Sequence, residues 1–225
     1  MNSLNATAEK TGKLSPMKHF APLVCFPFLL FGSSVNTEIV FTGEPTVSVR
    51  TIMQAFNAIG YKFEVETFIV ESGSGKLLGT AIGNKAFNPP ALGENLKEQG
   101  IKIERAHMDD KGLILTLDTQ KALWNTPLLG SDEGSELKRV NTPQWFRVEE
   151  GQNIRIEPPY TGKWYPDIAV LDVSMQVLSS FRSTEPKEEL QFELPKGSYY
   201  LKVSNAQGMK VLKEGTWIES MSPGR

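Results

Sequence analysis

The run Ser48-Val49-Arg50-Thr51-Ile52-Met53-Gln54-Ala55-Phe56-Asn57-Ala58-Ile59-Gly60-Tyr61-Lys62-Phe63-Glu64-Val65 changes its period part-way along. Val49, Ile52, Met53, Phe56 and Ile59 fall at helical spacing, on one face of an amphipathic helix. Gly60 closes that helix, because a residue without Cβ accepts the left-handed conformation of a helix stop. Tyr61, Phe63, Val65 and Ile69 then stand among Lys62, Glu64 and Glu66, the alternation of a half-buried strand. Ser72-Gly73-Ser74-Gly75 turns the chain into a second strand, from Leu77 to Ile82. The unit is a helix followed by a hairpin.

Upstream, Ile39-Val40-Phe41 reads as a short strand ending at Gly43. Downstream the unit repeats more weakly: Asn88-Pro89-Pro90 supplies an N-cap with proline at the first helical position, Leu92 and Leu96 share a face, and Gly100 is the stop. Gly100-Ile101-Lys102-Ile103-Glu104 echoes Gly60-Tyr61-Lys62-Phe63-Glu64 forty residues on, before a turn at Met108 to Gly112 and a strand from Leu113 to Leu117. The expectation is a duplicated helix-hairpin α+β domain over residues 35–118, with the helices on one face of a mainly antiparallel sheet. Two copies are too few for a solenoid. Periodicity fails over residues 119–143, where polar Gly130-Ser131-Asp132-Glu133-Gly134-Ser135-Glu136 has the composition of a linker.

Residues 144–220 show no helix. Phe146 and Val148, Ile154 and Ile156, Asp167 to Val173, Val177 to Phe181, Leu190 to Leu194, Tyr199 to Val203, Met209 to Leu212 and Thr216 to Ile218 make about eight short strands between turn signals, the spacing of a jelly-roll-like β-sandwich. Phe146-Arg147-Val148-Glu149-Glu150-Gly151-Gln152-Asn153-Ile154-Arg155-Ile156, then Asp167-Ile168-Ala169-Val170-Leu171-Asp172, then Phe192-Glu193-Leu194-Pro195-Lys196-Gly197-Ser198-Tyr199-Tyr200-Leu201-Lys202-Val203, resembles the bacterial pre-peptidase C-terminal sandwich over about a third of the chain. That resemblance implies an accessory domain of adhesion, targeting or folding support. The protease that often precedes such domains has no counterpart in this sequence.

Near the start, Met17-Lys18-His19 precedes an apolar run from Phe20 to Phe31 and then Gly32-Ser33-Ser34, the three parts of a secretory signal. The run is interrupted by Pro22 and Pro27 and falls short of the about 20 apolar residues a permanent span requires. The expectation is a signal peptide over residues 1–34, with Met17 as the candidate true start, cleavage after Ser34 and a periplasmic or secreted product. Cys25 follows Val24, where a lipoprotein signal needs a small residue. Cleavage removes Lys10, Lys13 and Lys18 with Glu9, taking the formal charge from -2 to -4, and removes the single cysteine.

With Lys+Arg 24 against Asp+Glu 26 there is no basic excess to grip a phosphate backbone, so nucleic acid is not an expected partner. His107 stands beside Asp109 and Asp110, but with His19 and Cys25 lost in the expected cleavage no second histidine or cysteine is left to complete a transition-metal site. No Gly-x-Ser-x-Gly elbow occurs, and Gly75-Lys76 fails as a phosphate loop because Val70 and Leu77 occupy its two key positions. Glu149-Glu150 and Glu188-Glu189 are adjacent pairs pointing to opposite strand faces, and Asp167 with Asp172 lacks the alternating spacing of a calcium loop. No catalytic residue, metal site or cofactor is assigned.

Pro158-Pro159-Tyr160-Thr161-Gly162-Lys163-Trp164-Tyr165-Pro166 concentrates aromatics and prolines in one sandwich loop. Proline lowers the ordering cost and aromatics carry contact area, so Tyr160, Trp164 and Tyr165 are candidate partner-binding residues, against the alternative of a self-packed loop. Should Trp164 be internal, the exposed face of the first domain is the next candidate. The expected function is a non-enzymatic exported binding or scaffold protein of the bacterial envelope, with a protein partner. In architecture the chain resembles accessory proteins of envelope machines, the flagellar motor among them. The alternative is a carbohydrate- or peptidoglycan-binding, or hydrolytic, accessory of cell-wall metabolism.

Overall fold

Strand β1 (Ser33–Thr42) places Val35, Thr37, Ile39 and Phe41 on a buried side and Asn36, Glu38, Val40 and Thr42 on the other, as a period of two requires. Helix α1 (Pro45–Ala58) follows, with Pro45 in its first turn and the Glu44 carboxylate accepting from Thr46 N–H at 3.1 Å. Its buried residues Val47, Thr51, Ile52, Ala55 and Phe56 form one stripe, and Gly60, at φ +82°, stops it. Strands β2 (Tyr61–Glu71) and β3 (Ser74–Gly83) make the first hairpin. Helix α2 (Pro89–Glu98) is capped by Asn88 Oδ1, which accepts from Ala91 N–H at 3.1 Å, and buries Leu92 and Leu96. Strands β4 (Lys102–Asp109) and β5 (Gly112–Asp118) make the second hairpin. The computed structural model describes residues 32–159 and 163–222.

These strands form one sheet in the order β2-β3-β1-β5-β4, with β1 antiparallel to β3 and parallel to β5. The two hairpins therefore flank β1, and both helices cover the face that carries Ile39, Phe41, Leu77, Leu115 and Leu117. Two copies of a strand pair find a common centre in the strand that precedes them. Two residues assigned above to the signal peptide, Ser33 and Ser34, belong to this ladder opposite Gly83 and Ile82. Residues 1–31 of that segment lie outside the described residues.

Eight further strands build two four-stranded sheets. They are β6 (Gly134–Glu136), β7 (Gln144–Arg147), β8 (Asn153–Glu157), β9 (Pro166–Leu171), β10 (Val177–Arg182), β11 (Leu190–Glu193), β12 (Tyr200–Asn205) and β13 (Trp217–Met221). The orders are β10-β9-β12-β7 and β11-β8-β13-β6, every neighbour antiparallel. Phe146, Ile168, Val170, Leu201 and Val203 from the first and Ile154, Ile156 and Ile218 from the second share one core. Leu129 and Leu137, from the stretch read as linker, join it, and the same stretch supplies β6. Met209–Val211, expected in a strand, is a 3-10 turn.

The α+β class with an N-terminal helix-hairpin domain does not hold and is corrected. Thirteen strands and two α-helices make the described chain mostly β, 47% strand against 14% helix. The helical periods were real, but each helix spans only 14 or 10 residues. The strands run well past the alternation that marked them: β1 fills ten residues where three had the pattern, and β2 continues to Glu71. Hydrogen-bonded neighbours, not local pattern, extend a strand to its full length.

The outer face of β9-β12-β7 meets the helical layer. Leu171, Met175 and Tyr200 are buried in the same core as α1 and α2. Arg50 of α1 lies over the Trp124–Trp145 edge-to-face pair, its guanidinium 4.7 and 4.6 Å from the two ring centroids, and Tyr200 Oη donates to Trp124 O at 3.2 Å. A cation so placed contributes about 0.5–2 kcal/mol per ring.

Candidate functional site

Of the three candidate aromatics, the described pair Trp164 and Tyr165 do not share an exposed surface. Trp164 is 1% exposed, packs in the sandwich core and donates its Nε1–H to Ser204 O at 3.3 Å. Its backbone carbonyl accepts from Lys187 N–H at 2.8 Å, and the alternation Trp164, Pro166, Ile168 turns all three inward. Tyr165 is half-buried with its carbonyl held by Ala206 N–H at 2.7 Å, and Tyr160 lies outside the described residues. Trp164 is thus a core side chain and presents no area to a partner.

The remaining polar candidates have structural duties. His107 is 61% exposed and its Nε2 stands 3.4 Å from Asp109 Oδ2. Asp109 Oδ1 accepts from Lys111 N–H and Gly112 N–H at 2.9 and 3.2 Å; the Lys111 bond above all, with help from His107, holds this carboxyl below its ordinary range. Glu150 accepts from Gly197 N–H and Glu149 from the Gln152 amide, each bracing a turn. Asp172 Oδ1 accepts from Ser174 and Gln176 N–H, closing its own loop. Among the described residues no three His, Cys, Asp or Glu side chains converge as metal ligands.

What remains open is the five-stranded sheet's second face. Across it, ladder partners align Thr67, Leu78, Glu38, Ile114 and His107 in one row and Ile69, Lys76, Val40, Thr116 and Arg105 in the next. Val40 is 37%, Ile69 49%, Ile82 41% and Ile114 43% exposed. Between the rows Lys76 Nζ and Glu38 Oε1 pair at 2.7 Å, both partly exposed. A shallow concavity of about 450 Å³ crosses the end of this face, floored by Leu78 and Ile114 and rimmed by Asn36, Glu66, Asp109 and Lys111. Gly112 shapes it: at φ +140° its missing Cβ would lie 2.1 Å from Asn36 O, so only glycine lets β5 start this close to β1.

Comparison with known proteins finds no matching family and no curated relative. The arrangement must speak for itself. Five strands about 4.8 Å apart, each with some eight residues at about 3.3 Å, give a face of roughly 500 Å². A standard protein interface takes about 800 Å² from each partner, so this face with its rim reaches the lower end of that class. The signal was present in the sequence: Ile39-Val40-Phe41 and Leu113-Ile114-Leu115 are unbroken apolar triplets, and a half-buried strand needs apolar residues only at every second position.

Among the described residues no helix is long and apolar enough to cross a membrane.

Proposed function

We propose that this chain is a non-catalytic binding protein of the bacterial envelope, reached by export, which holds a protein partner on the open face of the five-stranded sheet. One observation carries the reading: four branched apolar side chains, Val40, Ile69, Ile82 and Ile114, stand in water on the face opposite the helices. Exposed apolar residues grouped on one flat face, with charged residues around them, are the usual composition of a protein contact. The face is flat and open, which suits a folded partner. An accessory role in an envelope machine such as the motility apparatus belongs to the same proposal.

The test is site-specific photo-crosslinking in the native host from Ile82 and Ile114, with Glu188, exposed on the sandwich, as control. A defined adduct from the first two positions alone supports the reading. Ile114→Arg should then abolish that adduct at unchanged melting temperature, since the side chain already faces solvent. Equal labelling from all three positions refutes it. N-terminal sequencing of the mature protein tests export separately.

A further inference from the structure

A second concavity, about 490 Å³, opens where the C-terminal ends of both helices meet the connection after β5. Its walls are fixed. The carbonyl of Gln99, just past α2, accepts from Leu123 N–H at 3.1 Å, while Gln54 Nε2 donates to Asn125 O at 2.7 Å and Asn125 N–H returns to Gln54 Oε1 at 3.3 Å. Gly100 lets the turn after β5 pack against the end of α2, for a Cβ there would lie 2.4 Å from Lys121 O. Trp124, held by Arg50 and Trp145, forms an apolar wall with Leu123.

The groove contains polar groups that the fold does not use. Gln99 Oε1 is buried without a hydrogen-bond partner. Asn95 donates Nδ2–H to Ala91 O at 2.9 Å, leaving its Oδ1 free to accept. Among the described residues the side chains of Glu98, Lys121 and Asn125 have neither a hydrogen bond nor an ion pair within the protein. A buried amide oxygen left unpaired is costly in a native fold and calls for a donor from outside the chain.

The ligand is defined by what this set can satisfy. Lys121, Arg147 and Glu98 all line the groove, so charges of both signs are present and a multiply charged anion is not favoured. Amides and a carboxylate beside an indole match a molecule whose groups both donate and accept while its ring carbons offer an apolar face. The volume lies within the range of about 300–1,000 Å³ typical of small-ligand sites. We propose that the groove between the C-terminal ends of α1 and α2 binds a short neutral saccharide, with Gln99 and Asn95 accepting from its hydroxyls and Asn125 and Lys121 donating to them. This site is separate from the open sheet face, and the two stand or fall independently.

The experiment titrates the full chain with maltose, cellobiose and the di- and trisaccharides of N-acetylglucosamine, following tryptophan fluorescence and the side-chain amide signals of Gln99 and Asn125. At least one sugar should shift both. Gln99→Met and Lys121→Met should each weaken that sugar by roughly two- to tenfold, the effect of one hydrogen bond. Should Gln99→Met fail to fold, Lys121→Met decides, because Lys121 is exposed and outside both cores. Absence of binding tighter than about 10 mM for every sugar overturns the proposal. So does binding that Lys121→Met, and a folded Gln99→Met, leave unchanged, which would mark the Gln99 oxygen as a partner of bound water only.

Discussion

Replacing Trp164 by alanine separates a recognition loop from a core. The indole is 1% exposed, so the substitution removes a full aromatic side chain from a packed site and leaves a cavity in the sandwich core, at a cost of about 3–5 kcal/mol. It also leaves Ser204 O, buried and bonded to Nε1–H at 3.3 Å, without its donor, which adds about 1 kcal/mol. For a chain of this length each kcal/mol lowers the melting temperature by about 2–4 °C, giving a fall of roughly 8–24 °C. The assay is calorimetry beside urea denaturation, with crosslinking to the partner measured on the same samples below the transition. Trp164→Phe is the companion: it keeps most of the apolar area, loses the hydrogen bond, and should cost about a third as much as the alanine. A fall under about 2 °C for Trp164→Ala would refute the reasoning, because no fully packed tryptophan can be truncated that cheaply.

Two further outcomes follow from the layer between helix and sandwich. Arg50→Met keeps the stem beside Trp124 and Trp145 but loses the charge over both rings, and should cost about 1–3 kcal/mol in denaturation; Arg50→Lys should recover little of it, since an ammonium cannot stack as the planar guanidinium does. Burial, reinforced by Tyr199, raises the Tyr200 phenol from 10.0 to about 12. Its folded value thus exceeds its unfolded one, so the stabilisation is complete below about pH 10 and is lost as pH rises to about 12. Unfolding free energies from urea denaturation between pH 9 and 12 should fall by up to roughly 2–3 kcal/mol, and Tyr200→Phe should flatten that slope.

Local signals in the sequence determined a good deal of this protein. Helical spacing from Val49 to Ile59 with Gly60 as the stop, and Asn88 with Gly100 around the second helix, are decided within a few residues, because a capping side chain and a left-handed glycine act on neighbouring backbone groups. Seven of the eight strands expected after Pro143 formed for a similar reason, since alternation and turn residues are local; Met209–Val211 differs as a 3-10 turn within the sandwich core.

Tertiary structure decided the rest. Period two says that a strand has two faces and leaves open which one is covered; the helices lie on the side away from Val40 and Ile114. Composition left Trp164 open between a recognition loop and a self-packed one, and it is the surrounding sandwich that buries its indole. Gly134 reads as a flexible linker residue, yet it sits in β6 beneath Trp217, where a Cβ would come within 2.4 Å of the indole. Arg50 meets Trp124 and Trp145, far along the chain, and Gln99 ends beside Lys121 and Asn125 only because β5 returns the chain past α2. Contacts of that range depend on which surfaces the finished sheets bring together, and no window of sequence contains both partners.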